Sequence, residues 1–196
     1  MCRALLVRHA LCDPVGQRIA GRLDGISLNT RGLQQATALA THLREEPIAA
    51  VYTSPLLRAC ETAAAIAGTH SLQPIAREAF TELQFGAWTG RTLAELQHDS
   101  TWQTFNSMRS LTRAPDGELM LETQSRAVSE LLRLREQHTD ETIAIVSHAD
   151  VIRAVLCYLL GMPLDHILRL RIDPASVTEI ELHRDGVEVV CHNVVL

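Results

Sequence analysis

The sequence predicts an α/β fold: a three-layer, doubly wound, mostly parallel sheet with helices on both faces, closed by a C-terminal hairpin. Two observations predict the layered part. Short apolar runs at 4–8, 48–54 and 142–147 are separated by longer stretches whose apolar residues recur at helical spacing. The first run, ALLVR, is apolar on both faces, as a central parallel strand is. A third observation predicts the hairpin: VTEIELH and VEVVCHN alternate polar and apolar residues around Asp185-Gly186.

After the strand at 4–8, a Gly-bearing loop covers 12–29. TRGLQQATALATHLREE then places apolar residues at 33, 36, 39, 40 and 43, one face of a helix that Asn29 or Thr30 can cap. IAAVYTS (48–54) is the second strand, ended by Pro55, and LLRACETAAAIAG is a helix closed by Gly68. Residues 75–90 hold a short strand and the Gly-interrupted aromatic loop ELQFGAWTG. A helix near 92–98 follows, then a stretch of no clear class up to Pro115-Asp116-Gly117. Residues 121–137 form an amphipathic helix and TIAIVS (142–147) a third buried strand. VIRAVLCYLLG is an apolar helix ending at Gly161, and Met162-Pro163 opens another. No low-complexity segment or linker interrupts the chain, so one domain over 1–196 is expected.

Composition narrows the function. A net charge of −5 gives no support to binding of nucleic acid or an anionic membrane. All 18 basic residues are Arg, which excludes a lysine Schiff base and a P-loop lysine. Five cysteines, none spaced as CxxC, argue against a disulfide framework or zinc knuckle and for a reducing compartment. The N-terminus lacks signal-peptide form, and no apolar run approaches the ~18 residues that span a bilayer. A soluble cytoplasmic protein is expected.

Two stretches, LLVRHA (5–10) and AIVSHA (144–149), read almost alike: each delivers a histidine as a buried strand ends. In such sheets ligands bind beyond the carboxyl ends of the strands. If the two strands are neighbours, His9 and His148 face each other across one pocket. Arg8 precedes His9, and Arg58 lies on the first turn of the helix after the second strand, where free amides and a positive dipole end gather. Two guanidiniums, two imidazoles and a helix start suit a phosphoryl group. A histidine nucleophile also needs an acid to protonate the leaving oxygen. Glu82, between Phe80, Leu83 and Phe85, should have a raised pKa.

These residues resemble the histidine phosphatase superfamily, with its phosphoglycerate-mutase-like fold. LVRHA resembles the opening LVRHG, and GRLDGISLNTRGLQQA the following D-x-x-L-T-x-x-G-x-x-Q-A. YTSPLLRACETA is similar to S-x-x-x-R-A-x-x-T-A, LQFGAWTG to F-G-x-W-E-G, and IVSHADVIRAVL to V-S-H-G-x-x-I-R-A-L. The blocks run in order through nearly the whole chain. The resemblance implies that His9 is the nucleophile and becomes a phosphohistidine, that Arg8, Arg58 and His148 bind the phosphoryl oxygens, and that Glu82 is the proton donor. It implies no metal and no cofactor. Residues 142–183 look most like the α-ribazole-phosphatase and broad-specificity branches.

The sequence departs from the family pattern at several points. Ala10 and Ala149 stand where glycine usually follows each histidine, and a methyl there would tighten the pocket. Leu11, Cys12 and Asp13 replace the usual Glu-Thr and nearby Asn, and Asp13 near a phosphate would repel it. APDGELM (114–120) lacks the serine of P-x-G-E-S. Arg22 is expected to meet a second anionic group on the substrate, and Ala149 to touch the substrate. Trp88 and Trp102 are expected in core or lid packing, and the histidines at 42, 70, 98, 138, 166, 183 and 192 in solvent. The expected activity is metal-independent hydrolysis of a small phosphorylated metabolite. The alternatives are mutase-type phosphoryl transfer, a catalytically weak phospho-ligand-binding protein, and a metallohydrolase using His9, Glu82 and His148. Oligomeric state is not readable from the sequence.

Overall fold

The computed structural model describes residues 1–196. Six strands, β1 (Cys2–Arg8), β2 (Ile48–Thr53), β3 (Ile75–Ala76), β4 (Thr142–Ser147), β5 (Val177–Leu182) and β6 (Val187–Val194), form one sheet in the order β3-β2-β4-β1-β5-β6. β1 to β4 are mutually parallel, while β5 runs antiparallel to β1 and β6 antiparallel to β5. The hairpin return therefore makes the sheet mixed.

The period-two geometry of a strand explains the layers. Ala4 and Leu6 of β1, with Ile143 and Ile145 of β4, enter one core; Leu5, Val7, Ala144 and Val146 enter the other. α1 (Thr30–His42) and α2 (Leu57–Thr69) cover the second face through Ala36, Leu39, Ala63 and Ile66. α5 (Met120–Gln137) and α6 (Ala149–Leu159) cover the first through Leu131, Leu134, Ile152 and Val155. A third apolar cluster, with Phe85, Trp88, Phe105 and Met120, lies under the segment that carries α3 (Leu93–Leu96) and α4 (Ser100–Ser107).

Asn29, not Thr30, caps α1, its side chain accepting from the Gly32 amide at 2.8 Å. Gly32 is itself required by a close approach: a Cβ there would lie 2.0 Å from the Leu11 carbonyl. Gly68 does not close α2; the helix runs on to Thr69, and Ser71 takes the left-handed conformation with φ 56°. Bonds from the His70 and Leu72 amides to the Ala67 carbonyl finish that turn without a glycine. The stretch of no clear class contains α4, whose cap is Asp99, accepting from the Thr101 and Trp102 amides. The segment after Met162-Pro163 is a 3-10 turn over Leu164–Arg169. The hairpin turns through residues 183–186, with the His183 amide donating to the Gly186 carbonyl at 2.9 Å.

Candidate active site

The parallel register of β1 and β4 sets Arg8 opposite Ser147, so the next residue on each strand is a histidine. The His9 amide donates to the Ser147 carbonyl at 2.9 Å, and the two imidazole centroids lie 5.1 Å apart. On the other side of β4, the Ser54 amide donates to the Val146 carbonyl at 2.9 Å, which brings Ser54 Oγ to 2.7 Å from His148 Nε2. Three adjacent carboxyl ends thus converge on one point, as an open parallel sheet requires.

His9 Nδ1 is 2.7 Å from the Ala10 carbonyl oxygen. A carbonyl only accepts, so Nδ1 carries the proton and Nε2 keeps its lone pair. Burial, with Arg8 and Arg58 adding to it, holds the His9 pKa well below its ordinary value. The imidazole is therefore neutral near pH 7, the form a nucleophile needs. His148 is held low in the same way, by burial first and then by His9, Arg58 and Arg8.

Arg58 is 1% exposed, and its Nη2 donates to the Gly21 carbonyl at 2.8 Å and meets His148 Nδ1 at 3.4 Å. Its Nε and Nη1 have no hydrogen-bond partner. Arg8 is similar: Nη1 donates to the Ile172 carbonyl at 2.7 Å, and Nε is unpartnered. A buried unsatisfied donor costs about 1–3 kcal/mol, more on a charged group, so three gathered at one site suit an anion. The N-terminus of α6 adds to them, because His148 makes no side-chain cap and leaves the first-turn amides from Ala149 onward open.

Glu82 Oε1 accepts from the Leu83 amide at 2.9 Å, and Oε2 lies 4.0 Å from His148 Nδ1. Burial, followed by the charge of Asp150, pushes its pKa up to about 7. The Glu82 carbonyl is clamped by Arg22 Nε at 2.8 Å and Arg126 Nη2 at 3.2 Å. Both guanidiniums pair with Glu118, at 2.9 and 3.3 Å, and Glu118 also accepts from the Gln84 amide at 3.0 Å.

A cavity of about 410 Å³ opens over this point, with Arg8, His9, Arg58, Glu82, Phe85 and Ala149 in its wall. His148 sits one layer behind, fully buried against His9 and Arg58. Arg22 corrects the sequence reading: its guanidinium is spent on the Glu82 carbonyl and Glu118, and it lies outside the cavity wall. Asp13 is likewise turned away, accepting from Asn29 Nδ2 at 2.9 Å. Ala10 is buried in the core that also holds Ala36 and Ala59 and is not part of the cavity wall. Cys12 lines the cavity, but burial raises its thiol pKa and keeps it protonated. Trp88 and Trp102 pack edge to face, 5.1 Å apart, in the third cluster and its border. His138 is not in solvent; it bonds Tyr52 and Glu141.

Sequence reasoning missed three charged residues of the wall, Arg18, Asp150 and Arg153. Arg153 was findable, because it follows Ala149 by four residues and so shares its helix face. Asp150 has neighbours that explain its position: burial opposes its charge, but Arg109 and Arg153, each at 3.0 Å, outweigh that and keep its pKa below the usual carboxylate value.

Residues 4–195 match the family model for the histidine phosphatase superfamily, branch 1. Phosphoserine phosphatase 1 of Hydrogenobacter thermophilus is 32% identical over 186 residues, covering 93% of this chain and 87% of that protein. Among solved structures, Bacillus stearothermophilus YhfR superposes with a TM-score of 0.93 at 29% identity, covering 100% and 98% of the two chains. A mutant phosphoserine phosphatase from Entamoeba histolytica, solved in complex with phosphoserine, gives 0.88 at 26% identity, covering 98% and 97%.

Proposed function

The chain belongs to the histidine phosphatase superfamily, branch 1, and is a phosphatase of small phosphorylated compounds; we propose that it cleaves them through a phosphohistidine on His9, without a metal ion. One observation carries the reading. A neutral imidazole with its Nε2 lone pair free shares a buried site with three guanidinium N–H groups that have no partner.

In the first half-reaction, Nε2 of His9 forms a bond to phosphorus as the bond to the leaving oxygen breaks. Arg8 and Arg58 hold the phosphoryl oxygens with the donors left free, and the α6 amides add further N–H groups. An ester that binds as the monoanion brings one proton, which passes to His148 Nδ1 and is donated back as a hydrogen bond to a phosphoryl oxygen. Most of the rate then comes from positioning and fixed charge. Glu82, protonated in part near neutrality, delivers its proton to the departing alkoxide. In the second half-reaction the ionised Glu82 draws a proton from water as that water attacks the phosphohistidine, releasing phosphate and restoring both groups.

The test is phosphate release from a panel of monoesters in excess EDTA, for wild type and His9→Ala. Turnover that survives EDTA, is lost in the variant, and leaves acid-labile phosphate on quenched wild type is the expected result. Loss of turnover to EDTA would overturn the metal-free route. Transfer to an added hydroxy acid in place of water would identify mutase chemistry.

A further inference from the structure

Resting on the phosphatase reading above, we infer that the substrate carries a carboxylate besides its phosphate, and that Arg18 recognises it. Four arginines line the cavity, Arg8, Arg18, Arg58 and Arg153, against two acidic residues, Glu82 and Asp150. Glu82 carries a proton when it serves as acid, and Asp150 is bonded by Arg109 and Arg153. A phosphate dianion balances the two guanidiniums beside His9. The rest of the wall still holds positive charge, in a protein of net charge −5.

Arg18 is the wall cation with no commitment. Arg153 donates Nε to the Leu170 carbonyl at 2.8 Å and Nη1 to Asp150 at 3.0 Å. The Arg18 guanidinium makes no hydrogen bond and no ion pair within 4 Å, although it also lines an outer groove with Asp13 and its charge helps lower the Glu95 pKa.

Its backbone, in contrast, is fixed. The Arg18 amide donates to the Pro14 carbonyl at 3.0 Å, and residue 18 bridges Thr92. The Ile19 amide reaches the Arg91 carbonyl at 2.9 Å, the Gly90 amide returns to Ile19 at 2.8 Å, and the Leu93 amide bonds Gln17 at 2.9 Å. A long, exposed cationic side chain is thus held by an anchored loop at the rim, with its fork free of protein partners. A planar fork of N–H groups matches a carboxylate in two parallel bonds. The 410 Å³ volume has room for a carbon skeleton between the phosphoryl group and an anion at the rim. A phosphorylated hydroxy acid or amino acid meets both conditions; an ester of an uncharged alcohol leaves Arg18 idle.

The test compares 3-phosphoglycerate with glycerol 3-phosphate, which differ in carboxylate against hydroxymethyl on the same three-carbon skeleton. Wild type is expected to show the higher kcat/KM on 3-phosphoglycerate. Arg18→Gln should cut the ratio of the two kcat/KM values roughly tenfold, the worth of one charge-assisted contact, and Arg18→Lys should recover part of it. A wild type without the preference, or a ratio that Arg18→Gln leaves unchanged, would overturn the inference while hydrolysis itself stands. Absence of turnover on both esters would instead remove the phosphatase reading beneath it. Equal thermal melting of the variants and wild type shows that folding is intact.

Discussion

Glu82→Gln should make the protein more stable at high pH and lower its activity by orders of magnitude. The folded carboxyl ionises near 7, against an ordinary 4.5, with burial as the leading cause and Asp150 second. At 1.36 kcal/mol per unit, that displacement amounts to about 3 kcal/mol. The side chain is 13% exposed, so solvent screening removes little of it. The sign follows from which state holds the proton. Between pH 4.5 and 7 the unfolded carboxyl has ionised while the folded one stays protonated, so stability falls as pH rises across that window. Below it there is no penalty, and above it the penalty is complete. Glutamine cannot ionise, yet its amide oxygen can still accept from Leu83.

Urea titrations of wild type and variant at pH 4.5 and pH 8 measure the effect. The two proteins should have similar stability at the lower pH, and the variant should gain up to about 3 kcal/mol at the higher one. Thermal melts should show the same gap as roughly 6–12 °C at pH 8. In parallel, kcat/KM of the variant should fall about 10²- to 10⁴-fold, the usual worth of a general acid. The wild-type profile should decline as pH rises through about 7, with the optimum on the acid side. A stability gap of the same size at both pH values would refute the argument, since it would locate the effect in packing rather than in ionisation.

Three further outcomes follow from the geometry. Arg22→Ala should lower kcat about tenfold on phosphate monoesters and leave KM close to wild type, because Arg22 clamps the Glu82 carbonyl and does not face the cavity; a rise in KM alone would place it on the substrate. Gly32→Ala should cost roughly 2 kcal/mol or more in thermal denaturation, since the new Cβ would meet the Leu11 carbonyl at 2.0 Å and push the loop that follows His9. Native Cys12 should resist iodoacetamide near pH 7 and react once urea unfolds the chain, because burial keeps it a thiol; rapid labelling of the folded protein, read by peptide mass, would contradict this.

The sheet and the meeting of the histidines were legible because both depend on short-range rules. Apolar runs of the right length mark β1, β2 and β4, and identical strand endings in a parallel pair oblige His9 and His148 to emerge side by side. α4 was not legible as a helix from its apolar pattern; its signal was the cap, Asp99 before Ser100-Thr101-Trp102. Arg22 was misread for a different reason. Whether a loop arginine faces a pocket or a neighbouring carboxylate depends on tertiary contacts, and Glu118 is 96 positions away in the chain. The same holds for Arg18, whose place in the cavity wall comes from the pairing of its loop with residues 90–93.

Placement of the acid shows how much of the site is built behind the wall. Glu82 sits in a loop that α-helical or strand bonding does not hold, so its position must come from side chains and from close backbone packing. Gly86 and Gly117 supply the packing: a Cβ on the first would lie 1.9 Å from the Pro115 carbonyl, and on the second 2.2 Å from the Gln84 carbonyl. With the two loops that close, the Glu118 amide donates to Gln84 at 2.9 Å and the Ala87 amide to Pro115 at 2.8 Å. Glu118 can then face the Gln84 amide and both clamping arginines at once. That arrangement shares the Glu118 carboxylate between the two guanidiniums and aims their N–H groups at the Glu82 backbone, not at its carboxyl. The distinction matters chemically. A guanidinium paired directly with the Glu82 carboxylate would hold its pKa down and abolish the acid, whereas guanidiniums bonded to Glu118 and to the Glu82 carbonyl fix the loop and leave burial as the leading influence.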